Sequence, residues 1–369
     1  MGLPEIKITF EELGISAIRR GEKGTVAVVL YDKKSASNLK DLYTMTNARD
    51  IPEGLSEYNK DQIQKIWLGY VTSPRKVHVL IEEEKEGVNK GDLKHGAFNL
   101  LETLDFDILT VPGVAQAQVE PLIGFVKSLN ENGNKGVIAV LPNAKADSEY
   151  IVNFTTPVIT TDTKTYETTD YCSRIAGIIA GTPLQISCTY VPLKEVVACT
   201  NYKKEELDQK IEDGQLVLFN DGKKVKIARG VNSLTTKVQN KREGFTKIKL
   251  VQLMNLIRTD IKRAAEDNYL GKYANSYDNK ILLCSAIGGY FKELEREGLA
   301  EKGQSYCRIN VEAQRNYLES TGYKTTDGRG PDMWEELDIL YGDTDDKVFL
   351  KARVKLLDAI EEITLPIEI

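Results

Sequence analysis

Two stretches of strict apolar–polar alternation, one at each end of the chain, limit what this sequence can become. The first is Ile6-Lys7-Ile8-Thr9-Phe10. The last runs Val348-Phe349-Leu350-Lys351-Ala352-Arg353-Val354-Lys355-Leu356, breaks briefly, and resumes as Ile363-Thr364-Leu365-Pro366-Ile367-Glu368-Ile369. A period of two sends Ile6, Ile8 and Phe10 to one face of a strand. It does the same for Val348, Leu350, Ala352, Val354 and Leu356, and again for Ile363, Leu365 and Ile367. No hairpin turn joins either end to a neighbouring strand. An edge of unpaired N–H and C=O groups is costly unless something covers it. The termini either pair within their own domain or pair with strands of another copy, which is β-augmentation. Exchange of the second kind runs head to tail and builds rings or helical polymers rather than closed dimers.

Composition narrows the partners. A chain of 369 residues forms two or three domains. Its 41% hydrophobic and 28% charged content is that of a soluble globular protein. A net charge of −6 argues against a nucleic-acid partner, which calls for a basic stripe. The longest aliphatic stretch, Ile175 to Gly181, is too short to cross a bilayer, so no direct membrane insertion is expected. The opening residues lack the basic and apolar regions of a signal peptide. Five cysteines make no disulfide framework and point to folding in a reducing cytoplasm.

Between the ends, Arg19 to Gly24 reads as a linker with Gly21 and Gly24 as hinges. Thr25 to Tyr31 and Lys76 to Ile81 read as strands, separated by a helix that starts near Asn59. The charged run from Glu82 to Gly91 suggests a domain border. Helices near Leu93–Leu104, Ala117–Leu129 and Thr169–Ala180 then alternate with strands at Phe106–Thr110 and Gly136–Leu141, the pattern of a layered βαβ domain. Gly177 and Gly181 sit four apart, a spacing that permits close helix packing. Leu216–Phe219 and Lys223–Ala228 flank Asn220-Asp221-Gly222, a hairpin signal. Two long helices follow, with stripes Leu250, Met254, Ile257, Ile261, Ala264 and Leu283, Ile287, Tyr290, Leu294. Asp343 to Asp346 is an acidic turn after a third hinge glycine, Gly342. The divisions expected are an arm and linker (1–24), a small N-terminal domain (25–88), a central α/β domain (89–245), an α+β C-terminal domain (246–346) and a terminal arm (347–369).

Chemistry is conspicuous only by near misses. Gly54-Leu55-Ser56-Glu57-Tyr58 and Gly303-Gln304-Ser305-Tyr306-Cys307 both fail the nucleophile-elbow pattern at the last position. No phosphate-cradling glycine motif is present. Cys172, Cys188 and Cys199 lack zinc-site spacing and read as small buried hydrophobes. His78 and His95 are the only histidines, each without a partner in sequence. Asp105 and Asp107 share a strand face, and Lys223, Lys224 and Lys226 decorate the hairpin or dock an acidic partner. The expectation is therefore no catalytic residues, no cofactor and no metal. An α/β enzyme with a degenerate hydrolase-like site and a non-contracting shell protein are the alternatives.

Several stretches taken in order carry a resemblance. These are Gly2 to Phe10, Asp170-Tyr171-Cys172-Ser173-Arg174-Ile175-Ala176-Gly177-Ile178-Ile179-Ala180-Gly181-Thr182-Pro183, Gly230 to Thr236, Lys247 to Lys272 and Lys347 to Glu361. Together they resemble contractile phage tail sheath proteins of the short type, as in defective prophages and contractile bacteriocins. The resemblance implies a small N-terminal domain, a central α/β domain of subtilisin-like topology without protease activity, and a C-terminal domain. It implies that the terminal strands are exchanged between copies in a helical sleeve, built in the bacterial host cytoplasm and then carried by the virion tail or bacteriocin particle. The partners implied are other copies, an inner tail tube protein, and baseplate and tail terminator proteins. The function implied is contraction from a metastable extended state that drives the tube through a target envelope.

Overall fold

The computed structural model describes residues 18–85, 87, 89–94, 96–236 and 243–368. The chain forms two compact units. Among the described residues, the larger holds Gly21–Thr259 and the tail from Leu357, and the smaller holds Asp260–Leu356 and Ile18–Arg20.

The larger unit contains, in chain order, β1 (Thr25–Asp32), α1 (Lys34–Ser37), β2 (Leu42–Met45), α2 (Glu57–Trp67), β3 (Lys76–Glu83), α3 (Gly96–Thr103), β4 (Ile108–Thr110), α4 (Gln116–Glu131), β5 (Ile138–Pro142) and β6 (Ile151–Phe154). It continues with β7 (Val158–Thr161), β8 (Thr165–Glu167), α5 (Thr168–Ala180), β9 (Val196–Cys199), α6 (Lys204–Glu212), β10 (Gln215–Leu216), β11 (Leu218–Asn220) and β12 (Val225–Ile227). Seven strands make one sheet in the order β10-β6-β5-β4-β1-β3-β2. All neighbours are parallel except β2, which runs antiparallel along β3.

Every residue of β1 is buried. Val26, Val28 and Leu30 face the layer of α2 and α5, while Ala27, Val29 and Tyr31 face α3 and α4. Such two-sided burial is why β1 and β5 read as unbroken apolar runs rather than alternating ones. The border expected near residue 88 does not divide the fold: β1, β2 and β3 before it and β4, β5 and β6 after it belong to the same sheet.

α5 lies against α2 as the glycine spacing anticipates. A Cβ on Gly177 would overlap the Ile66 carbonyl, and one on Gly181 the Thr72 carbonyl. The start of α2 is corrected from Asn59 to Glu57. Ser56 is the cap, its Oγ accepting from Asn59 N at 3.4 Å. The Asn59 side chain donates instead to Tyr31 O and Asp32 Oδ2, both at 2.8 Å, tying the helix to β1. The Asp-Gly hairpin forms as β11 and β12, with Gly222 at φ +90°.

α7 (Ile248–Asn268) carries the chain from the larger unit into the smaller, which adds α8 (Tyr277–Arg296), β13 (Tyr306–Ile309), α9 (Val311–Thr321), α10 (Glu336–Leu340) and β14 (Leu350–Arg353). The stripe expected on α7 is not its buried face. Of those residues only Ala264 is buried, whereas Ile248, Val251, Leu253, Leu256 and three polar residues, Lys249, Asn255 and Asp260, are. At Asp260 the reason is visible: it accepts from the buried Tyr290 Oη of α8 at 2.8 Å, so a carboxylate occupies a core position. On α8 the stripe holds at Ile287, Tyr290 and Leu294.

Candidate assembly interface

The C-terminal stretch from Val348 is only partly without a partner. β14 pairs antiparallel with β13, with Cys307 opposite Ala352 and Ile309 opposite Leu350. Around it, Asn310 N donates to Phe349 O at 2.8 Å and Glu301 N to Lys355 O at 2.8 Å. One edge of the strand is therefore satisfied inside the smaller unit, by a partner that is not near in sequence. Nothing local predicts the match, because the partner strand lies some forty residues upstream. The sheet has two strands among the described residues, so β14 keeps a second edge. No residue from Val348 to Leu356 is fully buried; Val348 and Ala352 are exposed, and Leu350, Val354 and Leu356 half-buried.

Beyond Leu356 the tail returns to the larger unit, where four residues fasten it, Ser187, Thr189, Arg229 and Lys247. Glu361 is the centre, its side chain only 6% exposed. Ser187 Oγ donates to its carboxylate at 3.0 Å and Thr189 Oγ1 at 2.7 Å. Arg229 Nε and Lys247 Nζ each lie 3.1 Å from it. Lys247 also pairs with Asp358, and Arg229 with Glu362 at 3.0 Å. Burial works to raise the Glu361 pKa, but Thr189, Lys247 and Ser187 outweigh it and hold the carboxyl below the usual glutamate range. The same carboxylates hold Arg229 and Lys247 above theirs against their own burial.

Past this clamp the alternating residues face water. Ile363 is 83% exposed, Leu365 73% and Ile367 76%, with no regular structure and no burying neighbour. A row of aliphatic side chains at period two, exposed and fixed at one end, has the form of a strand awaiting a sheet. Ile6, Ile8 and Phe10 lie outside the described residues. The clamp escaped the sequence reading, which took Asp358 to Glu362 as a mere break. Its only local signal is three acidic residues within five positions.

The proposed hinges differ in setting. Gly24 has φ +102° and a Cβ there would come 3.0 Å from Ala180 O, while Asp107 accepts from the Gly24 and Thr25 amides at 2.9 Å. Lys23 closes that corner on Asp107 at 2.6 Å. Gly342 packs on Leu318, leaving no room for a Cβ. The acidic turn after it is pinned by Asn275 Nδ2, which donates to Thr344 Oγ1, Asp345 O and Lys347 O at 2.8–3.0 Å. Gly21 stands where the chain passes from the smaller unit to the larger.

The other candidates have structural work. His78 Nδ1 is 2.9 Å from Thr44 Oγ1 across β2 and β3, and burial pushes its pKa down. Asp107 caps the start of β1. Cys172 is fully buried, and burial pushes its thiol far up. Lys226 pairs with Asp221 in its own hairpin. His95 lies outside the described residues. No group of three or more His, Cys, Asp or Glu suited to a metal occurs among the described residues. No described helix is long and apolar enough to cross a membrane.

Comparison with known proteins agrees along the whole chain. The phage tail sheath protein central domain matches residues 86–233, and the phage tail sheath C-terminal domain matches residues 240–369. The tail sheath protein of Clostridium phage phiCD119 is 34% identical over 370 residues, covering 100% of this chain and 99% of that one. Among solved structures, the helical sheath of the anti-feeding prophage in its contracted state matches with a TM-score of 0.69 at 13% identity, covering 100% of this chain and 99% of that chain. A chain of the anti-feeding prophage baseplate structure matches with a TM-score of 0.65 at 12% identity and the same coverage. At such identities the structural likeness speaks for the fold alone.

Proposed function

We propose, on the ground that this chain belongs to the phage tail sheath family, that its alternating ends are arms exchanged with neighbouring copies in a helical sleeve around an inner tail tube. The chain is a structural tail sheath protein of the phage and contractile-injection kind. The observation that carries the proposal is the exposed row Ile363, Leu365, Ile367, held by a buried clamp at its base. The second edge of β14 is the complementary feature, a place where an incoming strand finds donors and acceptors already in line. Ile6, Ile8 and Phe10 form the other arm. The strand order of the large sheet, with helices on both faces, supports reading it as the subtilisin-like layer of the family.

On this reading the sleeve is assembled extended, in the host cytoplasm, on the tube and against a baseplate, with a terminator at its far end. Contraction repacks copies into better-buried contacts while the exchanged arms keep the mesh joined. The free energy is stored as kinetic stability and released by a trigger, with no nucleotide hydrolysis. Gly21, at a passage between the units, is the hinge this requires. The protein has no enzymatic role in the scheme.

Negative-stain electron microscopy tests it on the intact chain beside variants lacking residues 1–20 or 363–369. Hollow helical tubes from the intact chain, lost in both truncations, are the expected result. A monodisperse particle at every concentration and salt would overturn the polymer reading, and tubes from both truncations would overturn the exchanged arms.

A further inference from the structure

The outer face of the β13–β14 sheet carries charge that the smaller unit does not neutralise. The register sets Tyr306 opposite Arg353 and Arg308 opposite Lys351. These four side chains therefore share one face, and Cys307, Ile309, Leu350 and Ala352 take the other. All four are exposed, whereas Ile309 is buried. Like charges directly opposite one another across a strand pair are destabilising, and Arg308 and Lys351 are such a pair. Arg308, Lys351 and Arg353 form no ion pair among the described residues. Arg308 lies over the Tyr306 ring, 5.2 Å from its centroid. Glu312 and Glu336 border a hollow beside Arg308 and Lys351 and pair with neither.

The larger unit bears the opposite pattern on α6, a helix with no buried residue. Glu205, Asp208 and Glu212 are exposed and stand at i, i+3 and i+7, one stripe along that helix. They too form no ion pair among the described residues. Carboxylates of other acidic runs are engaged within their own unit: Glu84 with Lys90, Asp338 with Arg329 and Asp346 with Lys347.

We propose that the β13–β14 face of one copy docks on the α6 stripe of the next, a charged contact between copies that is separate from the exchanged arms. It rests on the reading of the chain as a helical polymer. The contact joins two different surfaces, so it runs head to tail and repeats from copy to copy. The spacings agree. Strand geometry sets Lys351 and Arg353 ~7 Å apart, with Arg308 ~5 Å across from Lys351. Helix geometry sets Glu205 and Glu212 ~10 Å apart with Asp208 between them. Three cations on long stems thus face three carboxylates over a similar length. Complementary charge of this kind acts mainly on the rate and register of association. Docking uses the face of the sheet and leaves the second edge of β14 open to a strand.

The test mixes isotopically heavy and light full-length chains, joins touching amines and carboxylates with a zero-length carbodiimide, and maps the products by mass spectrometry. The expected product joins Lys351 of one chain to Glu205, Asp208 or Glu212 of another, in mixed heavy–light pairs. Lys351→Glu with Arg353→Glu, and separately Glu205→Lys with Asp208→Lys, should each slow assembly at low salt by roughly tenfold or more, read by light scattering. Both variants should keep the circular dichroism of the wild type. A chain carrying all four changes should regain most of the wild-type rate. Reversals that leave assembly unslowed, or a loss that the fourfold variant does not recover, would overturn the contact and leave the polymer reading standing. A wild type that forms no tubes under any condition would overturn the polymer reading, and the contact with it.

Discussion

Replacing Glu361 by Ala should release the tail from the larger unit without unfolding it. The wild-type carboxylate takes two hydroxyl hydrogen bonds and two ion pairs in a nearly closed site. A hydrogen bond to a charged group contributes roughly 1.5–3 kcal/mol, and the four are not additive. Neither cation is orphaned by the change, because Arg229 keeps Glu362 and Lys247 keeps Asp358. The Ser187 and Thr189 hydroxyls keep each other at 2.9 Å. The net loss is therefore below that of a stranded buried charge, about 2–4 kcal/mol in the docked–undocked balance of the tail, or roughly thirty- to several-hundred-fold. Limited proteolysis of the unassembled chain reads it directly. Cleavage within 357–362 should speed up by that factor, while β1 and β5 stay uncut. The sign with pH is also fixed. Because the folded pKa of Glu361 is depressed, its contribution is present above the ordinary glutamate range and is lost as pH falls through the lower folded value. Wild-type tail protection from cleavage, corrected for the protease's own pH dependence, should drop on acidification, and Glu361→Gln should shrink that drop. Equal protection of the tail in Glu361→Ala and wild type at neutral pH would refute the reasoning.

The remaining predictions concern stability. Gly177→Ala forces a methyl into the Ile66 carbonyl and should cost the larger unit about 1–3 kcal/mol in thermal melting; an unchanged melt would deny the close approach of α2 and α5. Asn275→Ala removes the amide that pins the turn at Thr344 and should cost the smaller unit about 1–3 kcal/mol in urea, with exchange rising first at 343–347. Unchanged exchange there would show that Lys280, which also holds Thr344 at 2.9 Å, suffices alone.

What could be read from the sequence was what is local and periodic. The run at Thr25–Tyr31, the Gly177/Gly181 spacing and the Asp221-Gly222 turn each state their geometry within a few residues, and the structure has all three. Errors arose where a polar group took a core position. Asn59 looked like a cap but spends its amide on β1, and on α7 the Asp260 carboxylate takes a core position that hydropathy does not mark. The candidate interface divided the same way. The row at Ile363, Leu365 and Ile367 was visible as alternation. The pairing of β14 with β13 and the clamp on Glu361 were not, because their partners lie far off in sequence and leave no local trace.

The return of the tail to the larger unit also sets an order in time. Glu361 and its partner Thr189 are 172 positions apart, with the Asp260–Leu356 part of the smaller unit between them. At about 5–20 residues per second, a ribosome needs roughly 9–34 s to cover that span. The receiving site at Ser187, Thr189 and Arg229 is thus made early and stays unfilled while α7 to β14 are synthesised. The segment that fills it, and the apolar row it positions, come after all of these. On the proposed exchange, a nascent chain can offer its C-terminal arm to neighbours on the same polysome only after α7 to β14 are made, and the synthesis order itself delays that contact.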